Sequence, residues 1–293
     1  LSRDKNDRMH CLSNVCTHRG NILVEGSCIE KNILCRYHGR RFDLDGKFLS
    51  MPEFSEVKNF PSKKDDLPEI PFSTWEKFLF VSLNPIAPLQ TFAGEMFSRM
   101  SWLPLEEFIF DPSRSRDYLV KANWALYCEN YLEGFHIPYV HTGLNSELDY
   151  SGYRTELFKF SSLQIGIGKT GEDCFNLPKD SPDYGQNISA YYFWIFPNIM
   201  FNFYPWGLSI NIVRPLKPGL SKVSFLTYVY DEARLDKGAG AGLDKVERED
   251  EAIVENVQKG IRSRNYDRGR YSVKRETGTH HFHRLIAEML NGG

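Results

Sequence analysis

The sequence predicts an α+β fold in two parts: a small all-β domain over residues 1–84, and a larger domain over 85–293 in which an antiparallel sheet is flanked by helices. Three observations carry that expectation. Two Cys-and-His pairs lie on glycine-bearing loops among short alternating segments near the N-terminus. Aromatic and β-branched runs broken by Pro, Gly and Asn fill residues 150–230. Two stretches of helical periodicity, 121–135 and 246–263, bracket those runs.

The 293 residues can supply one large domain or two ordinary ones, and 41% hydrophobic with 25% charged residues describes a soluble globular protein. A formal charge of −2 with no long basic run argues against nucleic-acid binding or a polybasic membrane anchor. No apolar run approaches membrane-spanning length; Phe78-Leu-Phe-Val-Ser-Leu83 is strand-sized. The polar opening, Leu1 to Met9, does not read as a signal peptide. Six cysteines in a chain of this size do not make a disulfide scaffold, so a reducing cytoplasm is the expected compartment.

In the small domain, Asp4-Lys-Asn-Asp7 is turn chemistry, and Cys11-Leu-Ser-Asn-Val15 reads as a strand. Next comes Cys16-Thr-His18-Arg-Gly20, then Cys35-Arg-Tyr-His38-Gly39, with sixteen residues between His18 and Cys35. Two thiols and two imidazoles can hold one tetrahedral zinc, or a two-iron cluster with thiolates on one iron and imidazoles on the other. Spacing separates these readings. Zinc ribbons and fingers keep two or more residues inside the first pair, whereas Cys-x-His followed by Cys-x-x-His on two glycine loops is the arrangement of Rieske [2Fe–2S] centres. Further along, Phe42-Asp-Leu-Asp-Gly46-Lys-Phe48 reads as a hairpin turning at Asp-Gly, 52–71 as loop, and 75–83 as one last strand before a boundary at Asn84-Pro85.

In the larger domain, Glu156-Leu-Phe-Lys-Phe160, Ala190-Tyr-Tyr-Phe-Trp-Ile-Phe196, Ile199-Met-Phe-Asn-Phe-Tyr204, Leu208-Ser-Ile-Asn-Ile-Val213 and Val223-Ser-Phe-Leu-Thr-Tyr-Val-Tyr230 read as strands. Gly166-Ile-Gly168-Lys-Thr-Gly171 matches a dinucleotide-binding pattern, but Glu172 and Asp173 stand where a helix N-terminus would receive pyrophosphate, so it is set aside. Asn187-Ile-Ser189 is a chance glycosylation match, and Gly238-Ala-Gly-Ala-Gly242 is a flexible or tight connector.

The 121–135 stretch carries the acids that matter. At about 100° per residue, Glu129, Glu133 and His136 fall within roughly 60°, opposite Trp124, Cys128, Tyr131 and Phe135. Such a face is either solvated or metal-binding. His141 lies five residues past His136, and Pro138 predicts a kink that swings the second imidazole back towards the first. On the 246–263 helix, Val246, Ile253, Val254, Val257 and Ile261 trace an apolar stripe. Asp250 projects into its middle, while Glu247, Glu249, Glu251 and Glu255 project to its edges or away. A carboxylate placed there needs a buried Arg or Lys, or a metal. With two histidines available, His136, His141 and Asp250 make a two-His-one-carboxylate triad that leaves open positions on Fe(II).

The two cluster loops, together with Glu129-Asn-x-x-Glu133-x-x-His136-x4-His141 and Glu249-Asp250-x4-Glu255-x-x-Gln258, resemble the large (alpha) subunits of Rieske non-haem iron oxygenases. Asn21 and Arg36 stand about where respiratory Rieske proteins carry an extra cysteine pair. The resemblance implies a catalytic domain of helix-grip type, a [2Fe–2S] cluster on Cys16, His18, Cys35 and His38, and mononuclear Fe(II) on His136, His141 and Asp250. It also implies a homotrimer in which Glu133 bridges His136 to His38 of a neighbouring subunit. No flavin or nicotinamide site is visible, so a separate reductase is implied as electron donor. In the resembled family the Rieske domain begins earlier than Leu1, so an N-terminal segment is expected to precede this sequence.

Within the family, Glu129 to Leu144, Phe196-Pro-Asn-Ile-Met200, Pro205-Trp206, Glu255-Asn-Val-Gln-Lys-Gly260, Gly269-Arg-Tyr271 and His280-His-Phe-His283 are similar to the choline monooxygenase branch. That likeness implies hydroxylation or demethylation of a quaternary ammonium compound, ahead of aromatic ring dihydroxylation. Tyr191, Tyr192, Phe193, Trp194, Phe201, Tyr204 and Trp206 are then the pool for an aromatic cage, unless they only pack the sheet. A Rieske electron carrier without oxygenase activity and a zinc-binding structural module are the readings from other classes. His280, His281 and His283 read as structural or interface residues, and Cys11, Cys28, Cys128 and Cys174 as small packing side chains.

Overall fold

The computed structural model describes residues 1–292 and divides into two compact units, Leu1–Pro88 and Leu89–Gly293. The smaller is built from short antiparallel pairs. Strands β1 (Ser2–Arg3) and β2 (Met9–His10) form a hairpin whose turn is held by the Asp4 carboxylate, which accepts from the backbone N–H groups of Asn6 and Arg8. Strands β3 (Ile33–Leu34), β4 (Arg41–Phe42) and β5 (Phe48–Ser50) make a three-stranded sheet, and Gly46 at φ +87° turns β4 into β5 where Asp-Gly predicts it. Cys16, Cys35, Phe42 and Leu67 form the buried core of this unit.

Two expectations for it fail. Residues 75–83 are not one strand: β6 (Phe72–Trp75) and β7 (Phe78–Val81) form a hairpin through Glu76, at φ +49°. A glutamate in left-handed conformation leaves no turn signature in the sequence. Residues 11–15 form only isolated bridges, Leu12 to Glu69 and Val15 to Ile22, because the chain is already bending into the first cysteine loop.

The larger unit is organised around a seven-stranded antiparallel sheet in the order β8-β14-β13-β12-β11-β10-β9. Its strands are β8 (Ile109–Val120), β9 (Arg154–Leu157), β10 (Ser161–Ile167), β11 (Ile188–Ile195), β12 (Ile199–Tyr204), β13 (Gly207–Lys217) and β14 (Leu220–Val229). Consecutive strands pair as hairpins from β9 to β14, and β8 adds at the β14 edge. One row across the sheet reads Gln164, Tyr192, Asn202, Ser209, and a neighbouring row holds Asn211 opposite Met200. Buried amides on a sheet face are costly unless they bond one another or line a site.

Strands β8 and β10 escape sequence reading. The edge strand β8 carries Asp111, Arg114, Arg116 and Asp117, charges that guard an open edge and hide the alternation. Strand β10 is buried but built from Ser161, Ser162 and Gln164, and it contains the first glycine of the dinucleotide-like pattern, so that motif is strand and not phosphate loop.

Helix α1 (Leu89–Arg99), also unread in the sequence, opens the unit. Helix α2 (Trp124–Tyr131) is shorter than the predicted 121–135. Asn123 caps it by accepting from the Ala125 N–H, and Leu132 closes it by donating to the Cys128 and Glu129 carbonyls. Gly134 then passes so close to Tyr153 that a Cβ would lie 2.6 Å from its ring. Glu133 and His136 are therefore not helical neighbours of Glu129 but lie on the turn before α3 (Ile137–Val140) and α4 (Thr142–Glu147). Pro138 kinks nothing: it sits in the first turn of α3, where a missing N–H costs no bond.

Helix α5 (Leu243–Gly260) and α6 (Thr277–Asn291) complete the unit. The stripe expected on α5 is mis-phased. Ile253, Val257 and Ile261 are 39%, 42% and 38% exposed, whereas Val254 and Gln258 are buried. The inner face thus runs through Val246, Glu247, Asp250, Val254 and Gln258. The glycine-rich connector is tight, a buried turn at Gly238–Gly240. A Cβ on Gly240 would stand 2.1 Å from the Trp206 Nε1. No helix of the described residues is long and apolar enough to cross a membrane.

Candidate metal centres

The first centre is two copies of one loop. In each, the cysteine N–H donates to the carbonyl five residues on (Cys16 to Asn21, Cys35 to Arg40), and the glycine N–H returns to the cysteine carbonyl (Gly20 to Cys16, Gly39 to Cys35). Gly20 and Gly39 sit at φ +72° and +76°, which explains a glycine in each loop. Both thiols are buried, and the imidazoles of His18 and His38 stand with ring centres 4.9 Å apart. The His38 Nδ1 is a buried ring nitrogen with no hydrogen-bond partner. An orphan nitrogen beside two adjacent thiols fits the two-iron group.

The loops are held from behind. Arg40, 2% exposed, donates to the Asp65 carboxylate at 2.7 Å and to the Asp65 carbonyl at 3.0 Å, with Phe42, Phe48 and Phe60 around its guanidinium. Arg40 holds the Asp65 carboxyl below the usual carboxylate range. Burial lowers the His18 imidazole, and His38 lowers it further. Burial acts to raise the Cys35 thiol, but the N–H groups of Tyr37 and His38, the neighbouring Cys16 and the Asn21 amide at 3.8 Å outweigh it and draw the thiol down. Asn21, one of the positions where an extra cysteine is absent, thus contributes a donor to a cluster-side sulfur.

The second centre brings together residues 109 positions apart. His136 Nε2 and His141 Nε2 are 3.2 Å apart, His141 Nε2 and Asp250 Oδ1 3.0 Å, and His136 Nε2 and Asp250 Oδ1 3.5 Å. Donors about 2.1 Å from one ion and at right angles to each other would be about 3.0 Å apart. The triangle matches one face of an octahedron, so two imidazoles and a carboxylate fit a mononuclear iron.

Each imidazole is oriented through its outer nitrogen. Glu133 Oε1 bonds His136 Nδ1 at 2.7 Å, while its Oε2 accepts from the His136 and Phe135 N–H groups. Glu249 Oε2 bonds His141 Nδ1 at 2.8 Å. Both rings therefore present Nε2 to the centre. Burial lowers the His141 imidazole, but Asp250 and Glu249 together outweigh it and raise the group. Asn130, unassigned in the sequence, donates to Asp250 Oδ1 at 2.8 Å and ties α2 to α5. Glu129, also unassigned, bonds His283 at 2.8 Å, and Tyr271 caps the other side of that ring. His283 therefore serves packing between α2 and α6.

A cavity of about 90 Å³ opens on the triad. Its walls include Tyr127, Tyr131, Tyr153, Tyr192, Tyr204, Gln164, Asn202, Asn211 and Glu247. Of the expected cage pool only Tyr192 and Tyr204 line it. Strand alternation sends Tyr191 and Phe193 to the other face, Trp194 packs in the α2/α6 core, and Trp206 stacks behind Tyr204 at 5.2 Å. Tyr192 stands at 77° to Tyr204 and 6.5 Å from Tyr153, so three rings make a corner. Burial holds the hydroxyls of Tyr127, Tyr131, Tyr153 and Tyr204 well above their usual range, leaving neutral donors. Tyr131 donates to Asn202 at 2.8 Å, and Asn202 donates to Asn211 at 3.1 Å. Glu247, expected at the stripe's edge, faces this cavity and accepts from Tyr127 at 3.0 Å; burial raises its carboxyl well above the usual range, and Asp250 adds to that.

Fold and centres together define a large subunit of the Rieske-type non-haem iron oxygenases. A family model described as ring hydroxylating alpha subunit (catalytic domain) matches residues 105–292 and one described as Rieske [2Fe-2S] domain matches residues 1–61, and the chain belongs to that oxygenase family. It is 32% identical to chloroplastic choline monooxygenase of Arabidopsis thaliana over 99% of its own length and 71% of the plant protein, and spans 66% of the Beta vulgaris enzyme. It is 26% identical to the carnitine monooxygenase oxygenase subunit of Escherichia coli (strain K12), over 99% of this chain and 80% of that one. Among solved structures, a quaternary ammonium Rieske monooxygenase described for carnitine oxidation superposes with a TM-score of 0.74 at 23% identity, covering 98% of this chain and 80% of that one.

Proposed function

We propose that the protein is a terminal oxygenase that hydroxylates a carbon beside the nitrogen of a quaternary ammonium compound, using O2 and two electrons from a separate reductase. Cys16, His18, Cys35 and His38 hold the [2Fe–2S] cluster, and His136, His141 and Asp250 hold Fe(II). When bound, the cluster supplies electrons singly and the iron binds and activates oxygen.

The observation that carries the substrate class is the tyrosine corner beside the triad. Ring faces at right angles attract a trimethylammonium group by up to about 2 kcal/mol each when water is excluded. Neutral tyrosine hydroxyls and paired amides leave that cavity polar without adding a competing cation. The relatives that act on choline and carnitine support the same class.

Glu133 holds His136 in its ligand tautomer and carries the link to a cluster histidine of a neighbouring subunit, His38, in a homotrimer. In support, Phe135, whose N–H bonds Glu133, is 41% exposed and packs edge-on to Tyr139, 79% exposed, and Tyr37 beside His38 is 58% exposed, aromatic rings on the surfaces such an interface would use. Reductase-coupled O2 uptake over a panel of quaternary amines and aromatics, with product analysis, tests the function. Hydroxylated or demethylated amine in proportion to O2 is expected; a ring diol instead, or O2 uptake without product, would sink it.

A further inference from the structure

We infer that Glu247 is the counter-ion for the substrate's ammonium group, and that it selects cations whose far end is neutral over betaines carrying a carboxylate. This rests on the quaternary ammonium reading above. Three observations lead to it.

Glu247 stands one helical turn before Asp250 on the inner face of α5, so a cation held beside it lies next to the reacting centre. It is a wall of the same cavity as Tyr192 and Tyr204, and its hydrogen bond comes from Tyr127, a neutral donor. A buried carboxyl supported by one hydroxyl is expensive to ionise, and a permanently charged ligand with no proton to give is the partner that offsets that cost.

The rest of the cavity lining decides the second half of the inference. Among the described residues that line it, the ionisable side chains are the two imidazoles of the triad, five tyrosines, Glu133, Glu247 and Asp250; none is lysine or arginine. The guanidinium of Arg275 lies behind the wall, over the Tyr150 ring and on the Tyr153 carbonyl. A substrate carboxylate would enter a site that already holds three carboxyl groups and would find amides at best. A hydroxyl is served by what is there: the Tyr131–Asn202–Asn211 chain offers both donors and acceptors. The space also suits a compact ligand, since about 90 Å³ corresponds to the liquid volume of only about three waters.

The test uses the intact enzyme loaded with cluster and iron and supplied with a reductase. Turnover and calorimetric binding are compared for choline, L-carnitine and the uncharged isostere 3,3-dimethylbutan-1-ol, in wild type, Glu247→Gln and Glu247→Asp. Choline is expected to exceed carnitine at least tenfold in kcat/KM. Glu247→Gln should raise KM and Kd for choline at least tenfold while leaving iron content, the cluster spectrum and binding of the uncharged isostere unchanged, and Glu247→Asp should recover part of the loss. Carnitine preferred to choline would overturn the selectivity and leave the quaternary ammonium reading standing. Unchanged choline binding in Glu247→Gln would overturn the counter-ion. If no quaternary amine is bound or turned over, the substrate reading itself falls, and this inference with it.

Discussion

The two metal centres are built on opposite plans. The cluster site is local: each half is a loop of five residues closed by its own backbone and turned by one glycine, and the two halves repeat the same bonds. The mononuclear site is distant: His136 and His141 come from the turns after α2, Asp250 comes from α5, and Glu133, Glu249 and Asn130 brace them. A local site depends on a few backbone conformations. A distant one depends on the packing of helices, and any brace can be weakened separately.

The largest effect should come from the triad itself. Asp250→Ala is expected to abolish turnover and strip the mononuclear iron while the red-brown cluster chromophore persists, measured by iron-to-protein ratio, visible spectrum and coupled O2 uptake. Cys35→Ala should do the reverse, leaving a colourless protein that loads one iron per chain. If either change emptied both centres, the separation of local from distant would be wrong.

The braces sharpen the contrast. Loss of a carboxylate behind a ligating histidine costs about 10–100-fold in metal affinity or activity. Glu249→Gln should appear in iron affinity, because its contacts are with His141 and the exposed Lys245. Glu133→Gln should leave iron bound but slow reoxidation of the reduced cluster in single-turnover experiments, if it lies on the electron path. Equal iron loss in both variants would reduce Glu133 to a positioning residue.

Next in size is the Arg40–Asp65 pair behind the cluster loops. Asp65→Asn leaves a buried guanidinium without its anion and should destabilise the smaller unit by about 3 kcal/mol at pH 7. Because Arg40 holds the folded carboxyl below its ordinary value of about 3.9, this stabilisation is present above that pH and fades as pH falls through the depressed folded value. The gap between wild type and variant in thermal melts should therefore close in acid. The smallest effects belong to the loop glycines: Ala at Gly20 should cost about 1–2 kcal/mol for its left-handed backbone. Gly39→Ala should cost more, since its new Cβ would meet the Pro52 ring at 3.1 Å.

The same contrast explains what could be read from sequence. The paired loops that bring Cys16, His18, Cys35 and His38 together are legible because cysteine, histidine and turn glycine share a few positions. His136 and His141 are legible as a spaced pair, although the chain brings them together with Pro138 in the first turn of α3 and not through a kink. The stripe that points to Asp250 has exposed outer members, and it is the acid's place on the inner face that holds. Glu247 and Asn130 were missed because what distinguishes them is a partner some 120 residues away, Tyr127 for one and Asp250 for the other. Strand β8 was missed because an edge strand's charges erase the alternation by which strands are recognised.

The backing of the tyrosine corner has a consequence for anyone reshaping this enzyme. Tyr204 leans on Trp206, and Trp206 is pinned by a glycine turn that leaves no room for a methyl group. That wall is a fixed mould, and a library that randomises it will mostly return misfolded clones. Leu144, a partly buried wall of the same cavity and no part of that ring stack, is where variation in ligand size can be introduced at least cost to the fold.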